Sequence, residues 1–168
     1  TLVFVKPLGL NAWLDIKRML PGAILRKQWV RVDKELISQH YAEHSQKPHF
    51  SRLVNYYEGQ WVLALVVGAR FDAVRAIIGS SKPDQLKEGD IRKAILDKYG
   101  DSSISLIEDW TNGVDNGIHA SDAVEAANQE LKLWFDRPVP PTPKFLNLSS
   151  HAAGAENDDN FHPFAGLT

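Results

Sequence analysis

The chain of 168 residues has no cysteine and a single methionine. Without cysteine there is no disulfide, no thiolate zinc site and no thiol nucleophile. Covalent chemistry is left to imidazole, hydroxyl, amine or carboxylate groups. Long apolar runs are also missing. The longest, Trp61–Val67, has the length of a strand and falls well short of the roughly 20 residues of a membrane span. No membrane segment is expected. Neither sign of charge dominates: 19 Lys and Arg stand against 21 Asp and Glu, a net charge of −2. That balance argues against general nucleic-acid binding. Residues 136–168 hold Asp136, Glu156, Asp158 and Asp159 against Arg137 and Lys144. The net charge therefore sits in that segment, and residues 1–135 are balanced. An anion site there must come from local clustering of cations. The first residues show no basic-then-apolar export pattern, and the expected location is cytoplasmic.

What is present reads as one domain with an ordinary core. Apolar residues make up 43% and charged residues 24%, the balance of a soluble globular chain. Thr1–Val5 reads as a buried strand ended by Lys6-Pro7. Asn11–Leu20 spaces Trp13, Leu14, Ile16 and Leu20 along one helical face, and Pro21-Gly22 stops it. Ala23–Val32 reads as a strand. Asp33 is a good N-cap for a helix from Lys34 to about His44, with Leu36, Ile37, Tyr41 and Ala42 in period. A short helix over 51–57, a central strand over Trp61–Val67 and a short helix over 71–78 follow. Ser80–Gly89 reads as a polar loop, 90–99 as partly helical, and 100–117 as weakly periodic. Ile118-His119 is a short extended piece. Ser121 or Asp122 then caps a last helix to Phe135, with Glu125 completing a capping box and Val124, Ala127, Leu131 and Trp134 on one side. Pro138, Pro140, Pro141 and Pro143 end regular structure. The order predicts an α+β fold, a ferredoxin-like split βαβ antiparallel sheet. Helices are expected to cover one face, with extra helical elements elsewhere. The domain would span 1–135, followed by a Pro-rich extended C-terminal arm over 136–168.

The sharpest chemical feature is Asn116-Gly117-Ile118-His119-Ala120-Ser121-Asp122. It places a histidine between a short strand and a helix start, where unpaired backbone N–H groups and the helix dipole attract phosphate. A neutral imidazole there can attack phosphorus and hold a phosphoryl group. Its second ring nitrogen needs an orienting partner, and Glu130 on the following helix is the candidate. Lys6, Arg75 and Arg92 are cations that could surround a transferring phosphoryl group. His40 and His44, one helical turn apart, have a spacing that can bind metal. Surface histidines on a solvated helix are the plainer account of that pair.

The whole set resembles the nucleoside diphosphate kinase family. The similar stretches are Thr1 to Pro7, Gln39-His-Tyr-Ala-Glu-His44, Lys47-Pro-His-Phe50, Leu53-Val-Asn-Tyr56 and Arg75-Ala-Ile-Ile-Gly79. Gly89-Asp-Ile-Arg92, Asn116 to Asp122 and Glu130-Leu-Lys-Leu-Trp-Phe135 complete it. The resemblance implies a ping-pong transfer of the terminal phosphoryl group from a nucleoside triphosphate to a nucleoside diphosphate. His119 would carry the group, with Glu130 orienting it through the ring and through Ser121. Tyr41 would line the histidine. Lys6 and Asn116 would contact the sugar hydroxyls, with Lys6 also near the phosphate. Arg75, Ser81 and Arg92 would hold phosphates. His49 stands where a base-stacking Phe is usual, and Leu53 would pack by the base. Mg²⁺ would be held mainly by the nucleotide. The resemblance also implies a homo-oligomer.

The sequence departs from the family in several places. Leu8 replaces a usual Asp, Ser81 a usual Thr, and Asp90 a Thr beside a phosphate site. The stretch from Leu8 to Tyr41 is shorter than usual. The segment Leu96–Val114 is enlarged where the family packs its subunits together. Trp110 and Ile107 within it are apolar enough to bury, and the segment is expected to set the oligomeric state. Two other functions fit parts of the pattern. A degenerate family domain could serve as a nucleotide-binding or oligomeric scaffold without turnover. A sheet of this topology could bind RNA, but the aromatic and basic strand motifs that this requires are missing.

Overall fold

A computed structural model describes residues 1–98 and 104–137. The enlarged segment is therefore only partly seen, and of the C-terminal arm only Asp136 and Arg137 fall within the described residues.

Four strands form one sheet: β1 (Leu2–Val5), β2 (Ile24–Arg31), β3 (Trp61–Val67) and β4 (Ile118–Ala120). Their order is β2-β3-β1-β4, and every neighbouring pair is antiparallel. β1 and β3, the most apolar strands, occupy the centre, as their composition requires. Seven α-helices accompany the sheet among the described residues: α1 (Trp13–Met19), α2 (Lys34–His40), α3 (Phe50–Tyr57), α4 (Phe71–Ile78), α5 (Ile91–Asp97), α6 (Ile104–Thr111) and α7 (Val124–Phe135). This is the expected α+β, ferredoxin-like arrangement.

The helices lie on both faces, not on one. Strand residues alternate between faces with a period of two, and here both sets are apolar. Val3, Val5, Leu63, Leu65 and Val67 pack with Trp13, Ile16, Val74, Ile78, Ile91, Ile95 and Trp110 from α1, α4, α5 and α6. Leu2, Phe4, Val62 and Ala64 pack with Leu36, Ile37, Leu53, Tyr57, Trp134 and Phe135 from α2, α3 and α7. Two cores thus sandwich one sheet.

Several local expectations change. α1 begins at Trp13 because Pro7–Ala12 forms a 3-10 turn first. α2 is capped by the Asp33 carboxylate, which accepts from the Leu36 N–H at 2.7 Å. It stops at His40, and a separate 3-10 turn covers Ala42–His44. The weakly periodic stretch contains α6. Its Trp110 is fully buried in the chain's own core, so this ring is not left for a subunit contact. The side chain of Ile107 lies outside the described residues. α7 starts at Val124 after Ala123, without a side-chain cap. Ser121 and Asp122 precede that cap, and the Ser121 hydroxyl is engaged elsewhere. Val124 is exposed, so the buried face of α7 begins only at Ala127.

Candidate active site

Strand pairing decides where His119 points. Phe4 and His119 are directly opposed across β1 and β4, so both side chains leave the same face of the sheet. Their rings stack, with centroids 4.8 Å apart and planes at 23°. His119 therefore faces the core formed with α2, α3 and α7, while Ile118 and Ala120 face the other core. The turn before it depends on Gly117, whose φ of 81° belongs to the left-handed region and whose missing Cβ would lie 2.6 Å from Ile95.

Glu130 projects from the second turn of α7 to His119. Its Oε1 lies 3.1 Å from His119 Nε2, and its Oε2 accepts from the Ser121 hydroxyl. A carboxylate accepts only, so Nε2 carries the ring proton and Nδ1 keeps its lone pair. Burial pushes the His119 pKa well down, and Lys6, Arg92 and Arg75 push it further, against the pull of Asp122. The ring is neutral at pH 7.

Two guanidinium groups bracket the histidine. Arg92 from α5 donates to the carbonyl of Ile118 at 3.1 Å and to that of Gly79 at 2.9 Å. Arg75 from α4 donates to the carbonyl of Ala120 at 3.3 Å. Each Arg uses part of its donor fork on the residue flanking His119 and retains N–H groups for a ligand. Arg92 Nε is buried without a partner. Burial, followed by the neighbouring Arg75 charge, lowers the Arg92 pKa to about 10.

Lys6 ends β1 and is buried. Its ammonium donates to the carbonyls of Gly113 at 3.2 Å and Val114 at 3.5 Å. Desolvation lowers its pKa to about 7, with Arg92 adding to the shift and Asp115 opposing it. Asn116 is buried beside this turn, with its amide oxygen unpartnered. Tyr41 is buried with its ring 6.3 Å from His119. Its phenol pKa is raised by burial and by Asp115 and Glu130.

A cleft of about 420 Å³ is lined by His40, Tyr41, Arg75, His119, Asp122 and Glu130, among others. Lys6, Arg92, Asn116, His49, Leu53 and Ser81 are outside its lining. Of these, Lys6, Arg92 and Asn116 converge on the Gly113–Ile118 segment that leads into His119. His49 sits at the start of α3 and Ser81 is exposed on its loop, with no described contact to the cleft. Leu53 is 3% exposed and packed in the second core.

Two residues of the site are not apparent from the sequence. His40 is no surface histidine: its side chain is 1% exposed. It stands edge-on to His119, with centroids 4.5 Å apart, and its Nδ1 accepts the Trp134 indole N–H. Its spacing from Leu36 and Ile37 is the available signal. Asp115 is also buried, and its carboxylate accepts from the N–H of Leu8, the N–H of Gly117 and the Tyr56 hydroxyl. Nothing in its sequence context marks it.

His40, His119 and Glu130 come close enough to suggest a metal site. The Trp134 N–H is donated to His40 Nδ1 and would oppose a cation at that atom. The helical pair His40 and His44 is not brought together as ligands, since His40 turns into the core.

Comparison with known proteins finds similar sequences and similar folds. The family model described as Nucleoside diphosphate kinase matches residues 1–138. A nucleoside diphosphate kinase of Exiguobacterium sibiricum is 37% identical over 145 residues, covering 80% of this chain and 93% of the relative. The crystal structure of the apo enzyme from Encephalitozoon cuniculi superposes with a TM-score of 0.62 at 27% identity, over 84% of this chain and 92% of that one. A halophilic nucleoside diphosphate kinase from Halobacterium salinarum, solved in complex with CDP, has a TM-score of 0.60 at 26% identity, covering 81% and 86%.

Proposed function

This chain belongs to the nucleoside diphosphate kinase family, and on that premise we propose that it moves phosphoryl groups between nucleotides through a phosphohistidine at His119. The observation that carries the reading is the contact of Glu130 with Nε2. It leaves Nδ1 as the nucleophile. The Nδ1 lone pair attacks the terminal phosphorus of a nucleoside triphosphate. The N–P bond forms as the bond to the bridging oxygen breaks, and its electron pair leaves with the diphosphate. The ring then carries positive charge with its proton still on Nε2, and Glu130 stabilises that charge. A second nucleoside diphosphate attacks the phosphorus and takes the group, returning the neutral ring.

Arg75 and Arg92 would hold phosphate oxygens, and Lys6 would neutralise charge near the transferred group. Asn116 and Lys6 would meet the sugar hydroxyls. Ser81 would add a hydroxyl at the phosphates. His49 would lie against the base, over Leu53. Tyr41 would wall the histidine.

A nucleotide-bound Mg²⁺ would supply charge neutralisation across the phosphates. Both oxygens of Asp115 and both of Glu130 are engaged, and Asp122 and Glu43 are the acidic side chains left on the cleft lining. That supply fits a metal carried on phosphate, not a protein cage. A homo-oligomer in the cytoplasm is the accompanying expectation.

The test is incubation with γ-labelled ATP and Mg²⁺. Acid-labile, alkali-stable label is expected on the protein, absent in His119→Ala and discharged by a nucleoside diphosphate. An unlabelled protein that still binds nucleotide would instead support a scaffold without turnover.

A further inference from the structure

Arg52 lies on the exposed side of α3, one residue before Leu53, near the end of the helix that begins after His49. The far end of α3 is fastened by other groups. There the Tyr57 hydroxyl donates to the Val114 carbonyl at 2.9 Å and the Tyr56 hydroxyl to Asp115 at 2.6 Å. The near end is held through Arg52, whose Nη1 donates to Glu108 Oε1 at 3.0 Å and whose Nη2 makes an ion pair with Asp109 Oδ1 at 2.7 Å, without hydrogen-bond alignment.

Both acids stand on α6, inside the enlarged segment. The next residue, Trp110, is fully buried against Ile91, Ile95 and Ile118 in the first core. α6 is thus anchored to the core at Trp110. Asp109 also works through its backbone. Its carbonyl accepts the N–H groups of Val114 at 2.9 Å and Asp115 at 3.3 Å. The carbonyls of Gly113 and Val114 in turn receive the Lys6 ammonium. One residue therefore joins the clasp on α3 to the turn that holds Lys6 and leads into Asn116.

We propose that Arg52 is a positioning residue that sets the distance between the base side of the nucleotide site, on α3, and its sugar-phosphate side, at Lys6 and Asn116. It acts through Glu108 and Asp109 on α6. The inference rests on the nucleotide reading above and gives the enlarged segment a role within its own subunit. The ion pairs are partly exposed, 46% at Arg52 and 55% at Glu108. Water screens such pairs, and they add little to folding. Their removal should be felt in the geometry of the site.

The test titrates ADP with Mg²⁺ onto the full chain, Arg52→Ala, Arg52→Lys and the exchanged pair Arg52→Asp with Asp109→Arg. Steady-state rates, thermal midpoints and His119 labelling are read on the same proteins. Arg52→Ala should raise the ADP Kd and KM about three- to tenfold, with kcat at saturation and the thermal midpoint unchanged. Arg52→Lys and the exchanged pair should recover part of the loss. An unchanged Kd in Arg52→Ala overturns the proposal. So does a fall in kcat without a change in KM, or a drop in thermal midpoint that accounts for the loss. Failure of the unaltered chain to take label would sink the transfer mechanism alone, because the Kd comparison still decides the role of Arg52.

Discussion

The indole N–H of Trp134 is donated to Nδ1 of His40 at 3.2 Å. An indole can only donate, so His40 Nδ1 is unprotonated and its proton sits on Nε2. This keeps His40 from competing for Glu130, whose Oε1 lies 3.7 Å from the same Nδ1 and 3.1 Å from His119. Trp134→Phe keeps most of the ring and loses the donor. It should cost about 1–3 kcal/mol of stability through the unpaired acceptor. It should also slow phosphorylation of His119, because His40 can then protonate at Nδ1 and draw on Glu130. Urea unfolding and single-turnover labelling check both. Labelling at the unaltered rate would show that the His40 tautomer has no bearing on transfer.

Stability should fall as the medium becomes acidic. Burial is the first cause that depresses both the His40 and His119 pKa values. In the unfolded chain they return to about 6.5. Below that pH the unfolded state binds protons that the folded state refuses, so stability is lost as pH drops. The loss should approach roughly 1 kcal/mol per pH unit for each ring. Urea midpoints between pH 7.5 and 5 measure it, and a His40→Gln variant should show a shallower decline.

Nucleotide binding should take up a proton on the alkaline side. Lys6 has its pKa lowered to about 7, chiefly by desolvation, so at pH 8 it is mostly neutral in the free protein. A phosphate anion beside it favours the charged form. Calorimetric titration at pH 8 in buffers of different ionisation enthalpy should show uptake approaching about one proton. The uptake should be absent in Lys6→Ala. Equal enthalpies in all buffers would show that Lys6 is already charged.

Asp115→Ala should be among the most damaging single changes away from the phosphate-binding groups. It strips partners from the N–H groups of Leu8 and Gly117 and from the Tyr56 hydroxyl. The expected cost is roughly 2–4 kcal/mol. Denaturant midpoints give it directly. Activity at low temperature should also fall, since the turn that receives Lys6 and leads into Asn116 loses its tie to Leu8.

Much of this molecule is legible in its residues. The bounds of β3 and α4 follow from apolar period and from Gly59 and Gly79. The Asp33 cap is readable because capping is local chemistry. Glu130 can be named as a partner for His119 but not placed, because its approach depends on how β4 returns to β1, a relation between distant segments. His40 is hidden for a related reason. A histidine on a helix looks solvated until the helix is docked, and only Phe4 and Trp134, remote in sequence, show that this one is inside. Asp115 is invisible because its partners lie at Leu8, Tyr56 and Gly117. The late start of α7 shows Ser121 leaving its expected cap role, its hydroxyl being bonded to Glu130 instead.

The two guanidinium groups beside His119 have one more consequence. β4 is an outermost strand of only three residues. Such an edge offers unpaired carbonyls to any extended chain that drifts by. Here the outward carbonyls, those of Ile118 and Ala120, are already taken by Arg92 and Arg75. The same cations that would grip phosphate guard the sheet against strand addition. Substituting either Arg should therefore make the protein stickier as well as slower.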